Sequence, residues 1–467
     1  MPEPTSPSRR GFLTGAAAVA AATAVPLAVS RTAAAAEPQA AARPNILLIV
    51  TDDQPKHTDW AIQKTIAWLG GHGVEYPNGH VATPLCAPSR SSVFSGRYAH
   101  NHGVRNNGAS AALDQHTTVQ RYLQQAGYRT GLFGKYLNSW TLADNPPHFE
   151  DWLLLQPSYN NSATYNDNGT VHQITGYPTN VIRNHALDFL DRAATDTRPW
   201  FAYVTPFASH EPNVPAPKYA DTPVPPWNGR PSVTEEDRSD KPAYIQNATA
   251  TLDDARNLRR RQLRTLLSVD DAVQAFHDKL VDLGQLDNTL VVYIGDNGYT
   301  WADHGWLKKS VPYSPSHQVP FYLSWPAGGL GSGTVDNRLV ANIDIAPTIL
   351  DAAGITPTTP QDGRSLLTGY SRDHLLVEWW KQGTAAGGPN TWASYVDKER
   401  QYTEYYALHT NAAGVVSGTG QVLFREYYDL VSDPYQLKNL LHQATPAQEQ
   451  ALGIPALAAK LAADRTG

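Results

Sequence analysis

The chain has 467 residues, a formal charge of −6, 34 Gly, 35 Pro, 12 Trp, 23 Tyr and a single cysteine. One cysteine excludes an intrachain disulfide framework, the mild acidity leaves no basic footprint for nucleic acid, and the lack of repeats or heptads excludes solenoids and coiled coils.

At the N-terminus, Ser8-Arg9-Arg10-Gly11-Phe12-Leu13 precedes an alanine-rich stretch and the small-residue run from Ala33 to Ala36. This is the pattern of a twin-arginine export signal over residues 1–36, with cleavage near Ala36. The stretch from Ala16 to Val29 is Ala-dominated, broken by Pro26 and shorter than the roughly 20 apolar residues a spanning helix needs. The expectation is therefore an exported protein, secreted or held in the cell envelope, with no stable membrane insertion. About 430 residues remain, enough for a large core and two domains.

The first predicted strand, Asn45 to Val50, stops at Thr51-Asp52-Asp53-Gln54. The lone cysteine follows in Cys86-Ala87-Pro88-Ser89-Arg90, with Ser95-Gly96-Arg97 close behind. In an oxidising compartment an unpaired cysteine is either buried, a hazard, or used. A helix over Thr117 to Ala126 ends at Gly127, and the strand Thr130 to Phe133 runs into Gly134-Lys135-Tyr136. Another strand, Trp200 to Val204, leads to Ser209-His210-Glu211-Pro212. From Thr205 to Ala255 the chain is rich in Pro and Asp with little apolar periodicity, as in functional lids and edges. Leu266, Val269, Val273, Phe276, Leu280 and Leu283 then follow the helical period. The strand Leu290 to Ile294 ends at Gly295-Asp296-Asn297-Gly298, and Val319 to Trp325 reads as one more strand.

Strands alternating with helices predict an α/β fold, a large mixed but mostly parallel sheet flanked by helices. The rhythm breaks after Asp344 to Asp351 and Gly354, which sets a boundary between Ile355 and Leu375. Beyond it, Gln401 to Leu408, Gln421 to Tyr427 and a closing helix predict a small antiparallel sheet with a terminal helix. The expected organisation is a catalytic domain over 43–360 and a C-terminal subdomain over 361–467.

Ligands of parallel sheets sit beyond the carboxyl ends of the strands, where four of these strands each carry an acid, a histidine or a lysine. Asp52, Asp53, Asp296 and Asn297 supply three carboxylates and an amide oxygen, hard ligands suited to Ca²⁺ or Mg²⁺ and not to zinc. Each pair alone would read equally as a helix cap or a turn; together, with basic residues between them, they read as a metal site. Lys135 stands where a cation would neutralise an anion, and His210 where an acid could act, while Lys308 and Lys309 form a basic pair in a loop.

These residues resemble a type I, formylglycine-dependent sulfatase of the alkaline phosphatase superfamily. The matching pieces run in order from Arg43-Pro44-Asn45 through Asp52-Asp53-Gln54 to Tyr428-Asp429-Leu430-Val431-Ser432-Asp433-Pro434-Tyr435. The most specific is Cys86-x-Pro88-Ser89-Arg90 with Ser95-Gly96-Arg97, the signal by which such cysteines are oxidised to Cα-formylglycine. The resemblance implies Cys86, as formylglycine, for the nucleophile, and one Ca²⁺ on Asp52, Asp53, Asp296 and Asn297. It implies Arg90 and Lys135 around the aldehyde hydrate, and His210 and Lys309 on the sulfate, Lys309 being preferred to Lys308 by its spacing to Tyr313. It also implies a formylglycine-generating enzyme and the twin-arginine translocase as maturation partners, and a sulfated small molecule or glycan as substrate.

One departure stands out. Where many members have Gly-Lys-x-His, this chain has Gly134-Lys135-Tyr136-Leu137-Asn138, a form similar to the N-acetylglucosamine-6-sulfatases and related glycan sulfatases. His102 or Asn138 is the candidate to share the missing histidine's role. Trp140, Trp152, Trp301 and Trp306 near the catalytic edge suit either sugar rings or loop anchoring. A phosphate or phosphonate monoester hydrolase of the same superfamily, or a non-enzymatic glycan binder with unmodified Cys86, is the alternative.

Overall fold

The computed structural model describes residues 43–381, 387–410 and 416–466; the expected export signal lies outside them. Five parallel strands form the centre of a ten-stranded sheet: β1 (Asn45–Thr51), β2 (Arg129–Gly134), β3 (Asp151–Leu155), β4 (Trp200–Thr205) and β5 (Thr289–Gly295). Their order is β5-β1-β4-β2-β3, with Ile46 opposite both Phe201 and Leu290. On one side β6 (Phe321–Ser324) pairs antiparallel with β5, and on the other Ser162–Asp167 and Thr170–Thr175 continue antiparallel from β3. The sheet is thus mixed and mostly parallel, as the alternation of elements predicts.

The physical cause is visible in β1. Ile46, Leu48 and Val50 enter the core on one face and Leu47 and Ile49 the core on the other, and all five are wholly buried. A strand covered on both faces must read as a continuous apolar run. The first face is covered in part by α1 (Cys86–Ser95), and the second by α2 (Pro178–Ala194) and α3 (Leu252–Asp282). In α3 a capping box between Thr251 and Asp254 sets the start. Leu263, Leu266, Val269, Val273, Phe276 and Leu280 pack onto the sheet, each burial contributing roughly 1.5–3 kcal/mol.

Between β4 and α3 the chain holds only short turns of helix, such as Pro217–Tyr219, Pro231–Val233 and Ala243–Gln246. The second sheet has four antiparallel strands, β7 (Leu375–Trp379), β8 (Trp392–Val396), β9 (Arg400–Thr410) and β10 (Val416–Asp429), in that order. Only β9 and β10 stand out in the sequence; β7 and β8 are short and buried throughout, so they lack the polar alternation that marks a half-exposed strand. The helix Ile454–Asp464 closes the chain against this sheet through Ile454, Leu457 and Leu461. Residues 42–467 form one compact unit. No helix among the described residues is long and apolar enough to cross a membrane.

Candidate active site

The site assembles where β1, β2, β4 and β5 end. Cys86 is the first residue of α1, following extended Leu85, and Gly96 closes the helix in the left-handed conformation at φ 68°. Asn107 accepts from the Ala87 amide at 3.0 Å, satisfying one of the open N–H groups of the first turn. All ten residues of α1 are buried although four are serines and one is arginine. Cys86 and Arg90 lie four residues apart, on one helix face.

Asp52 and Asp53 leave β1 and Asp296 leaves β5, and Asp53 accommodates the turn at φ 58°. The Asp53 amide donates to Asp296 Oδ1 at 3.0 Å. Oxygens of Asp52, Asp53 and Asp296 and the sulfur of Cys86 all lie within 4.8 Å of one another. Asn297 donates from Nδ2 to Asp53 Oδ1 at 2.8 Å, and its Oδ1 lies 3.4 Å from Lys309 Nζ.

Three cations face these carboxylates. Arg90 Nε donates to Asp296 at 2.9 Å, and its Nη1 donates to Tyr203 and the Lys135 carbonyl at 3.1 Å each and to Thr205. Its Nη2 lies 3.8 Å from Asp52, with no hydrogen-bond partner of its own. Lys135 Nζ donates to Asp52 at 2.6 Å. Lys309 Nζ pairs with Asp53 and lies 2.8 Å from Cys86 Sγ. Lys308 instead points out, 65% exposed, 3.7 Å from Glu211.

Burial would raise the Asp52 carboxyl, but Lys135, His210 and Arg90 outweigh it and hold it at about 2. Asp53 is likewise lowered against its burial by Lys309 and His210. Burial would lower Lys309, and Asp53 raises it well above the ordinary lysine range. Burial and the nearby Asp296 push the Cys86 thiol up to about 12, so the unmodified side chain is a neutral thiol and a poor nucleophile.

His210 Nδ1 lies 2.7 Å from the Glu211 carbonyl, a contact only a protonated Nδ1 can make as a hydrogen bond. Its Nε2 then faces the cluster, 3.7 Å from Asp53, with the ring stacked on Phe207 and 31% of the side chain open. Asn138 lines, with Lys135, a cavity of about 300 Å³, and its buried Oδ1 has no partner.

His102 is not brought in. Its Nε2 is 3.1 Å from Ser92 Oγ on α1 and its Nδ1 accepts from the Val104 amide, while burial lowers the ring to about 3. Both nitrogens are engaged away from the carboxylates. The tryptophans also sort themselves. Trp301 is buried with Nε1 2.6 Å from Gln262 on α3, Trp152 of β3 donates to Asn166 on the neighbouring strand, and Trp140 donates to the Asp144 carbonyl while lining the cavity with Lys135 and Asn138. Tyr203 and Thr205, which seat Arg90, escape sequence reading; a tyrosine and a terminal threonine in the apolar run of β4 are the only signal.

The donor set fits a hard cation. Three buried carboxylates balance Arg90, Lys135 and Lys309, so a divalent ion would leave the pocket two charges positive and able to receive an anionic ester. Asn297 would present its oxygen after a half-turn of the amide.

A mixed, mostly parallel sheet flanked by helices thus carries carboxylates and cations beyond the carboxyl ends of its strands, where folds of this class place their sites. The chain belongs to the Sulfatase family, whose pattern matches residues 44–355. The C-terminal family of N-sulphoglucosamine sulphohydrolase matches residues 302–461, and a twin-arginine translocation signal matches residues 6–26, marking the chain for export by that pathway. An extracellular sulfatase Sulf-1 homolog of Caenorhabditis elegans is 33% identical over 69% of this chain, which spans 48% of that protein, about half its length. The N-acetylglucosamine-6-sulfatase of Homo sapiens is 30% identical, covering 86% of this chain and 82% of that one. Among solved structures, BT4656, in complex with D-glucosamine-2-N,6-O-disulfate, superposes with a TM-score of 0.76 over 90% of this chain and 97% of that one, at 20% identity, a likeness of fold.

Proposed function

We propose that this protein hydrolyses a sulfate monoester on a sulfated sugar, with Cys86 converted to formylglycine and one Ca²⁺, or Mg²⁺, held by Asp52, Asp53, Asp296 and Asn297. The observation that carries the reading is the setting of Cys86: a neutral, buried thiol, 2.8 Å from the Lys309 ammonium and 3.5 Å from Asp52, in a pocket otherwise made of catalytic charges. The relatives named as glycan sulfatases support the sugar.

A hydrated aldehyde at position 86 supplies two hydroxyls on one carbon, one to attack sulfur in line and one whose lost proton later expels sulfate. A cation held by Asp52, Asp53, Asp296 and Asn297 would supply positive charge against the sulfuryl oxygens. The chain's own groups do the rest. Asp52 fixes Lys135 beside position 86, and Asp296 fixes Arg90 so that its unpartnered Nη2 is available to an incoming oxygen. Lys309 covers the reacting atom from the other side and meets a sulfuryl oxygen. His210, doubly protonated with its Nδ1–H held by the Glu211 carbonyl, gives its Nε2 proton to the leaving alcohol and is left as the neutral Nδ1–H ring, a contribution of roughly 10²- to 10⁴-fold. Asn138, with its free buried oxygen beside Lys135, meets a hydroxyl or N–H of the substrate.

The test is the mass of the peptide containing residue 86 in protein from its native host, expected about 18 Da below the cysteine form, with turnover of N-acetylglucosamine 6-sulfate lost in Cys86→Ala. An unmodified thiol in active protein would overturn the mechanism. Faster hydrolysis of a phosphate or phosphonate monoester than of any sulfate would replace the substrate class while leaving the nucleophile in place.

A further inference from the structure

We propose that the C-terminal sheet is a clamp that sets the Lys309 ammonium against position 86, with Tyr313 and Glu426 as its positioning residues. The inference rests on the reading of Lys309 as a group that meets the sulfate.

Lys309 sits between two non-glycine residues in the left-handed region, Lys308 at φ 90° and Ser310 at φ 71°. Such a backbone persists only where its surroundings over-determine it. Before Lys309, the Lys308 carbonyl accepts from Thr300 Oγ1 at 2.8 Å within a short antiparallel hairpin; after it, four holds come from the far end of the chain. Trp392 Nε1 on β8 donates to the Ser310 carbonyl at 3.0 Å, and Gln401 Nε2 on β9 donates to the Pro312 carbonyl at 2.5 Å. The Tyr313 hydroxyl donates to Glu426 Oε1 on β10 at 2.9 Å, and the Ser314 amide donates to Gln436 Oε1 at 2.8 Å. Gln436 in turn donates to Gln401 at 3.1 Å, so two of the four holds brace each other. The larger sheet's side adds His317 Nε2 on the Pro312 carbonyl at 3.2 Å and two longer contacts, Ser316 Oγ to the Val311 amide at 3.4 Å and Ser310 Oγ to the Pro84 carbonyl at 3.5 Å.

Glu426 is the firmest point. It is wholly buried and accepts from Tyr405 and Tyr428 at 2.7 Å each as well as from Tyr313. Three phenols aimed at one carboxylate fix its oxygens, and the aromatic body of Tyr313 is wedged against His304 with ring centroids 4.2 Å apart. Position is thereby carried along four residues of backbone from Tyr313 to Lys309. The outward-facing Lys308, which no clamp contact orients, marks how differently the neighbouring side chain is treated.

The experiment compares Tyr313→Phe and Glu426→Gln with the parent in turnover of the sulfate ester, normalised to the matured fraction by mass. A displaced ammonium predicts kcat lower by about 10- to 100-fold with KM within about twofold, since a shift near 1 Å suffices for such a loss. In a Lys309→Ala background the same substitutions are expected to leave the residual rate unchanged, because their effect passes through Lys309. Undiminished kcat in both variants overturns the clamp. So does an equal loss in the Lys309→Ala background, which would mark general damage. Full turnover by Lys309→Ala alone would instead overturn the reading of Lys309 itself, and the clamp's purpose with it. Tyr313→Phe removes a single hydroxyl and carries the test if Glu426→Gln fails to fold.

Discussion

Arg90→Leu should cost stability on a scale that separates a structural cation from a mere maturation signal. The Arg90 side chain is wholly buried and holds Asp296 at 2.9 Å, Tyr203 and the Lys135 carbonyl at 3.1 Å, and Thr205. Without it, three buried carboxylates face two lysines, and Asp296 loses its only ion pair among the described residues. Breaking a buried pair from one side costs about 3–5 kcal/mol, at least about a fifth of a stability of roughly 5–15 kcal/mol. Arg90→Lys keeps the charge but not the fork, so about 1.5–3 kcal/mol is expected. The measurement is urea unfolding of protein made without the maturing enzyme and with chelator present, so that residue 86 is one species and no cation intervenes. A loss under about 1 kcal/mol for Arg90→Leu would refute the reasoning, because a residue needed only for recognition by a modifying enzyme leaves no hole in the fold.

Calcium should raise the unfolding midpoint, by about 2.7 kcal/mol of stability at a hundredfold excess over its dissociation constant, and Asp53→Asn should abolish the gain; equal stabilisation by Na⁺ at the same ionic strength would remove the site. Burial holds His317 at about 4, below its unfolded 6.5. As pH falls the unfolded ring takes a proton first, so stability present above pH 6.5 should decline by up to about 3 kcal/mol on approach to pH 4. His317→Asn should flatten that decline by about 1.4 kcal/mol per pH unit in pH-dependent unfolding, and an unchanged slope would exclude His317 as its source. Trp301→Phe, which loses the bond to Gln262, should lower the melting temperature while leaving KM for the sulfated sugar within about twofold; a large KM increase would return Trp301 to the substrate.

The fold was legible where chemistry and burial coincide. The apolar runs of β1, β4 and β5 are unbroken because both faces are covered, and each runs into residues of the candidate site. Asp52, Asp53, Asp296, Lys135 and His210 are brought together in space as their strand ends suggest, and Cys86 and Lys309 join them from a helix start and a loop. Tertiary choices were not legible. The stacked His80–His317 pair, 2.9 Å apart through Nδ1, gives no signal in either segment, since the two residues are 237 positions apart. His102 follows Cys86 closely in sequence, yet its ring meets Ser92 on another side of α1. The strand Val319 to Trp325 was recognised but not its direction, which depends on the turn that reverses the chain before β6.

The complete burial of α1 puts maturation on a clock. Cys86 has no exposed surface, and its neighbours through Ser95 have almost none. On the maturation proposed for Cys86, an oxidising enzyme that had to grip the segment from Cys86 to Arg97 would compete with folding for the same residues, because the packed serines and Arg90 leave it nothing to hold. The yield of active protein would then be set by a race between two rates, and a variant that folds faster would be worse at becoming an enzyme.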